Sequence, residues 1–180
     1  MKPKYERPII VRHSLAGMNK FGATSAIRTV TAIDGVRISD LVEAYGSPLF
    51  IFSERSLRER VRELRAQLGR RVASYDLAWS YKTNYLGAIC KVFHQEGSLA
   101  EVVSGMEMKK ALAAGVAGRQ ILFNGPYKTE ADLTLAFEKQ VKVHLDHLDE
   151  LALAEKVADR MGVVPQTSGR VCVKQLGHAE

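Results

Sequence analysis

Two cysteines in 180 residues, a single tryptophan, and no apolar run as long as the roughly 18 to 20 residues of a membrane span set the first limits on this chain. Cys90 and Cys172 are far apart and fall inside expected regular elements. They form no metal-type pair and are read as two reduced, buried thiols. The first residues carry Lys2, Lys4 and Arg7 and lack the apolar core and cleavage site of a signal peptide, so the cytoplasm is the expected location. Neither Gly-x-Gly-x-x-Gly nor a P-loop follows the first expected strand of the regular region, which argues against a nucleotide-binding fold.

Positive charge is plentiful. The net charge is +6, and much of it comes from Arg55, Arg58, Arg60, Arg62, Arg65, Arg70 and Arg71. A nucleic-acid surface is one reading of this run. Glu54, Glu59 and Glu63 interleave at spacings that allow ion pairs along a helix, and no recognition motif or aromatic platform accompanies the arginines. A solvated helix face is therefore expected, and no nucleic-acid partner. The 46% hydrophobic and 26% charged fractions are those of a soluble globular protein of about one domain.

Residues 1–45 read as an irregular segment with a short helix at Ile38 to Ala44. Regular structure begins after Tyr45-Gly46-Ser47-Pro48. A short apolar run, Leu49 to Phe52, precedes a helix starting at Ser53, whose apolar positions Leu57, Val61, Leu64 and Leu68 recur at helical spacing. Strands are then expected at Leu77 to Tyr81, Leu99 to Val103, Gln120 to Phe123, Val141 to Leu145 and Arg170 to Val173. Helices fill the gaps at Tyr85 to Gln95, Gly105 to Ala114, Glu130 to Lys139 and His147 to Met161. Ser104-Gly105-Met106-Glu107 has the pattern of a capping box, and Thr129 to Asp132 and Asp146 to Asp149 are weaker versions of it. A repeating β/α unit implies a parallel sheet with helical crossovers. Such units close into an eight-stranded barrel or spread as a doubly wound sheet. A complete (β/α)8 barrel takes about 250 residues, so residues 46–180 either supply about half of a TIM-like barrel as a fragment or use another solution, an open sheet or a dimer that covers the raw edge.

Active sites of such folds gather at the carboxyl ends of the strands. Read in order, those ends offer Lys82, Glu101, Ser104, Asn124 and His144, with Asp146 beyond. The amine of Lys82 can condense with an aldehyde cofactor. Ser104 and Asp146 have helix capping as the ordinary alternative, and His144 that of a satisfied strand-end histidine. His144 and His147 lie three apart, but the chain passes from strand to helix between them and no further ligands are placed. No metal site is expected.

Five blocks then carry a resemblance. Tyr45-Gly46-Ser47-Pro48-Leu49-Phe50 resembles "YGTPLYVY", Tyr81-Lys82-Thr83-Asn84 resembles "YAVKAN", and Glu101 to Glu107 resembles "DVVSGGE". Phe123 to Thr129 resembles "FHGNNKS", and Leu145 to Leu151 resembles "VDSLEEL". In this order, over about Tyr45 to Met161, they resemble the fold-type III decarboxylases that use pyridoxal 5'-phosphate (PLP), the diaminopimelate and ornithine decarboxylase-like family with its alanine racemase-like barrel. The resemblance implies Lys82 as the Schiff-base lysine, Glu101 near the cofactor, and Ser104 and Asn124 in neighbouring loops; His144 joins them as a cofactor-binding candidate from its place at a strand end. It also implies decarboxylation of a diaminopimelate-like or other basic amino acid, and a homodimer in the full-length form. The chain departs from the pattern at Glu101 (an aspartate in the family), Met106 (a glycine) and Pro126-Tyr127 (two asparagines). The family's later glycine-rich loop and C-terminal β domain are not found before Glu180, so the chain is expected to be an N-terminal portion with little activity alone. Two alternatives stay open. One is an amino-acid racemase on the same barrel, though Tyr85-Leu86-Gly87 lacks the histidine that racemases carry there. The other is a non-catalytic homologue that binds PLP or a partner.

Overall fold

Short β-rich apolar runs alternating with amphipathic stretches favour strands that bury one face under helices. The computed structural model describes residues 30–169, which divide into two units between Phe52 and Ser53. In the first unit, β1 (Ala32–Ile33) pairs antiparallel with β2 (Val36–Arg37), and α1 (Ile38–Tyr45) follows. Asp34 and Gly35 between the strands have φ values of 51° and 84°. Positive φ at both central residues defines a type I′ hairpin turn, which Asp-Gly favours.

The second unit opens with α2 (Glu54–Gly69). It continues through β3 (Ala78–Ser80), α3 (Gly87–Gln95), β4 (Leu99–Val102), α4 (Gly105–Ala113), β5 (Ile121–Phe123), α5 (Glu130–Glu138), β6 (Lys142–Leu145), α6 (Leu148–Met161) and β7 (Thr167–Gly169). The expected elements from α2 to α6 are all present, with ends shifted by a residue or two. Gln120, expected in a strand, closes a short 3-10 turn instead. The strand expected at Arg170 to Val173 lies outside the described residues.

The five strands β3 to β7 form one parallel sheet in sequence order. Because βαβ crossovers are right-handed, an order that never reverses puts every crossover helix on one face. That is the winding of a barrel wall, whereas a doubly wound sheet reverses partway. Burial follows the same alternation. Ala100, Val102, Ile121, Phe123 and Val143 are fully covered and pack with Met108 and Ala111 of α4, Leu133 and Ala136 of α5, and Val157 of α6. Each valine, leucine, isoleucine, methionine or phenylalanine side chain so buried contributes about 1.5–3 kcal/mol.

Ser104 accepts a hydrogen bond from the Glu107 amide at 3.2 Å, as expected of a cap. The reciprocal half differs: the Glu107 carboxylate accepts from the Val103 amide at 2.9 Å, one residue earlier than a capping box requires. The complete box is at Thr129, whose side chain and Asp132 satisfy each other's backbone amides. Before α6 the cap position is His147, whose side chain makes no capping bond, and Glu150 accepts from the Asp146 amide at 2.8 Å. The arginines of α2 form ion pairs along the helix and beyond it. Arg58 contacts Glu54 and Glu96, and Arg62 contacts Glu96. These guanidinium bonds hold the Glu96 carboxyl down at about 2. No described helix is long and apolar enough to cross a membrane.

Candidate active site

In a parallel sheet, residues paired across strands share a face. Ser80 pairs with Glu101, Glu101 with Leu122, and Leu122 with Lys142. His144 pairs with Ser168. All of these lie on the face away from the helices, the inner face of a barrel wall. Its upper rows are polar where the helix-covered face is apolar.

The row is bonded from strand to strand. Ser80 Oγ donates to Glu101 Oε2 in a short contact, and Asn124 Nδ2 donates to Glu101 Oε1 at 3.2 Å. Further along, Ser168 Oγ and His144 Nδ1 lie 2.9 Å apart. Burial lowers the His144 pKa from its ordinary value, with Lys142 and Lys128 adding to the effect and Glu101 opposing it. The imidazole is thereby favoured in its neutral form.

Lys82 follows β3 directly. The turn that carries it is fixed from both sides. The Tyr81 amide donates to Glu101 O at 2.9 Å, and the Thr83 amide to Ser80 O at 3.1 Å. Trp79, stacked on Phe93 with centroids 3.7 Å apart, donates Nε1 to Asn84 O at 3.0 Å. Tyr81 is buried, its hydroxyl 2.9 Å from His94 Nε2, and burial raises its phenol pKa. Lys82 itself is exposed. Its amine makes no hydrogen bond or ion pair among the described residues.

The five sequence candidates therefore divide. Glu101 and Asn124 are bonded to each other, and His144 shares their face. Lys82 is at the adjoining strand end, and Ser104 is engaged as a helix cap. Two residues were not singled out from the sequence. Ser80 is recognisable only once the register places it against Glu101. Lys128 is fully buried. Its Nζ donates to Gly125 O at 2.5 Å and to Glu150 Oε2 at 3.1 Å. It thereby ties the loop after β5 to the first turn of α6. Gly125 in turn lies so close to the loop after β4 that an added Cβ would meet Val103 O at 2.2 Å.

A free amine, a carboxylate, an amide and a neutral imidazole at neighbouring strand ends suit a carbonyl cofactor. A separate cavity of about 340 Å³, lined by Arg119, Gln140, Val164 and Pro165 among others, lies at the opposite ends of the strands and contains none of these groups.

Comparison with known proteins is consistent with this chemistry. The family described as "Pyridoxal-dependent decarboxylase, pyridoxal binding domain" matches residues 54–173. Diaminopimelate decarboxylase of Methanocaldococcus jannaschii is 28% identical over 77% of this chain and 33% of its own length. The Neisseria meningitidis serogroup A enzyme of the same name is 32% identical over 73% of this chain and 32% of its own. The crystal structure of the M. jannaschii enzyme with L-lysine superposes with a TM-score of 0.71 at 28% identity, over 77% of this chain and 33% of that one. The chain thus spans about a third of the length of the curated relatives it matches. It belongs to the pyridoxal-dependent decarboxylase family, and residues 54–173 correspond to that family's pyridoxal-binding domain.

Proposed function

We propose that this chain holds PLP through Lys82 and is part of an enzyme that decarboxylates an amino acid, a dibasic one of the diaminopimelate kind. The observation that carries the reading is the unpaired, exposed amine of Lys82 beside the Ser80–Glu101–Asn124 row. The names of the relatives support the substrate class. When bound, the cofactor supplies an electron sink for the bond that releases carbon dioxide. The chain's own residues bind and orient. Lys82 Nζ would hold the cofactor through its aldehyde carbon. Glu101 presents a carboxylate fixed from both sides. Asn124 spends one amide hydrogen on Glu101, which leaves its carbonyl oxygen for another partner. His144, held through Nδ1 by Ser168, offers a neutral imidazole on the same face. Ser104 and the amides of α4 make a helix start that favours a negatively charged group. We place the enzyme in the cytoplasm as a homodimer; the unpaired thiol of Cys90 is at home in a reducing compartment.

The test is the absorbance of the recombinant protein with added PLP. A band above about 400 nm, from the lysine-bound cofactor, is expected in the wild type and absent in Lys82→Ala. Identical spectra for the two proteins refute the cofactor assignment. Release of carbon dioxide from diaminopimelate, compared with lysine, ornithine and arginine, tests the substrate class.

A further inference from the structure

Glu101 stands on β4 between two strands that each send it one donor. Ser80 Oγ, on β3, reaches Oε2, and Asn124 Nδ2, just past β5, reaches Oε1. A glutamate left to itself samples several rotamers, and fixing it has an entropic cost. Here both oxygens are engaged, so the plane of the carboxylate is determined by its neighbours. Ser80 is half-buried, lies two residues ahead of Lys82, and its register partner across the sheet is Glu101 itself.

We propose that Ser80 is a positioning residue, whose hydroxyl aims the Glu101 carboxylate at the site where the cofactor's ring meets Lys82. This rests on the function proposed above. Ser80 need not touch the cofactor; it acts through Glu101. Without the hydroxyl, Oε2 loses its donor in a partly covered position and the carboxylate regains rotational freedom. Hydrogen bonds to charged groups are worth about 1.5–3 kcal/mol, so the loss should weaken cofactor binding by roughly tenfold or more.

PLP is titrated into the wild type, Ser80→Ala, Ser80→Thr, Glu101→Gln and the double variant Ser80→Ala/Glu101→Gln, reading the band above about 400 nm, with thermal melts to check folding. Ser80→Ala is expected to bind PLP about tenfold more weakly, and Ser80→Thr, which keeps the hydroxyl, to bind like the wild type. Ser80→Ala should add nothing to the defect of Glu101→Gln, because its effect passes through that carboxylate. Simple packing at Ser80 would instead give independent, additive losses. Should Ser80→Ala fail to fold, Ser80→Cys takes its place. A normal wild-type band with unchanged affinity in Ser80→Ala, or additive losses in the double variant, overturns this inference alone. No band in the wild type overturns the cofactor assignment and this inference with it.

Discussion

A strand-end imidazole with Lys142 and Lys128 nearby is a poor place for another positive charge. Burial acts in the same direction, and only Glu101 opposes it, so the His144 pKa lies below its ordinary 6.5. The sign for stability follows. In the unfolded chain His144 takes up its proton near about pH 6.5, while the folded chain does so only at lower pH. The folded state therefore binds fewer protons in that window, and its stability declines as the pH falls below about 6.5. Urea midpoints measured from about pH 7.5 down to about pH 5 should show this decline, and His144→Gln should flatten that part of it. At this scale the sequence was only half legible. Lys82, Glu101 and Asn124 stand out because their chemical types sit at strand ends. Ser80 does not, because a serine inside a strand acquires meaning only through a partner on the neighbouring one. Lys128 reads as an ordinary solvated lysine after Pro126-Tyr127, and its burial depends on Glu150 in the next helix.

Elements are tied together here by their first turns. Ser104 caps α4, and Ser104→Ala should lower unfolding stability by about 1 kcal/mol. If capping is its main task, PLP affinity should stay close to wild type; a large loss would instead place the hydroxyl on the cofactor. A deeper link joins α6 to the loop after β5. Lys128 and Glu150 form an ion pair with side-chain exposures of 0% and 6%. Removing one partner of such a pair strands a buried charge, at a cost of about 3–5 kcal/mol. Lys128→Met should show a loss of this size in urea unfolding, and Lys128→Met/Glu150→Gln should recover part of it. The helices and strands themselves were well predicted, α2 by the spacing of its apolar residues and the others by the regular alternation of apolar runs and capped helices. The caps were less predictable. Glu107 and Glu150 both pass over the cap position to hold the amide four residues before them, a choice decided by how each loop leaves its strand.

For the molecule as a whole, the sequential strand order makes protection uneven. β4 and β5 have bonded neighbours on both sides and fully covered side chains, whereas β3 is an edge of the sheet among the described residues. Hydrogen exchange should accordingly be slowest in β4 and β5 and faster in β3 and β7. Equal exchange across all five strands would contradict this ranking. The parallel β/α alternation could be read from the sequence because the units repeat at a regular interval; the winding could not, since that interval suits a barrel wall and a doubly wound sheet alike. The polar character of the inner face could not, because it depends on which residues the register brings abreast.

The packing of Gly125 against Val103, together with the reach of Lys128 to Glu150, has a practical consequence for engineering. An engineer wishing to retune this rim by grafting a segment from a cousin could not exchange one connection at a time. The three segments after β4, β5 and β6 would have to be transplanted as a single cassette, because each is cut to the shape of the next.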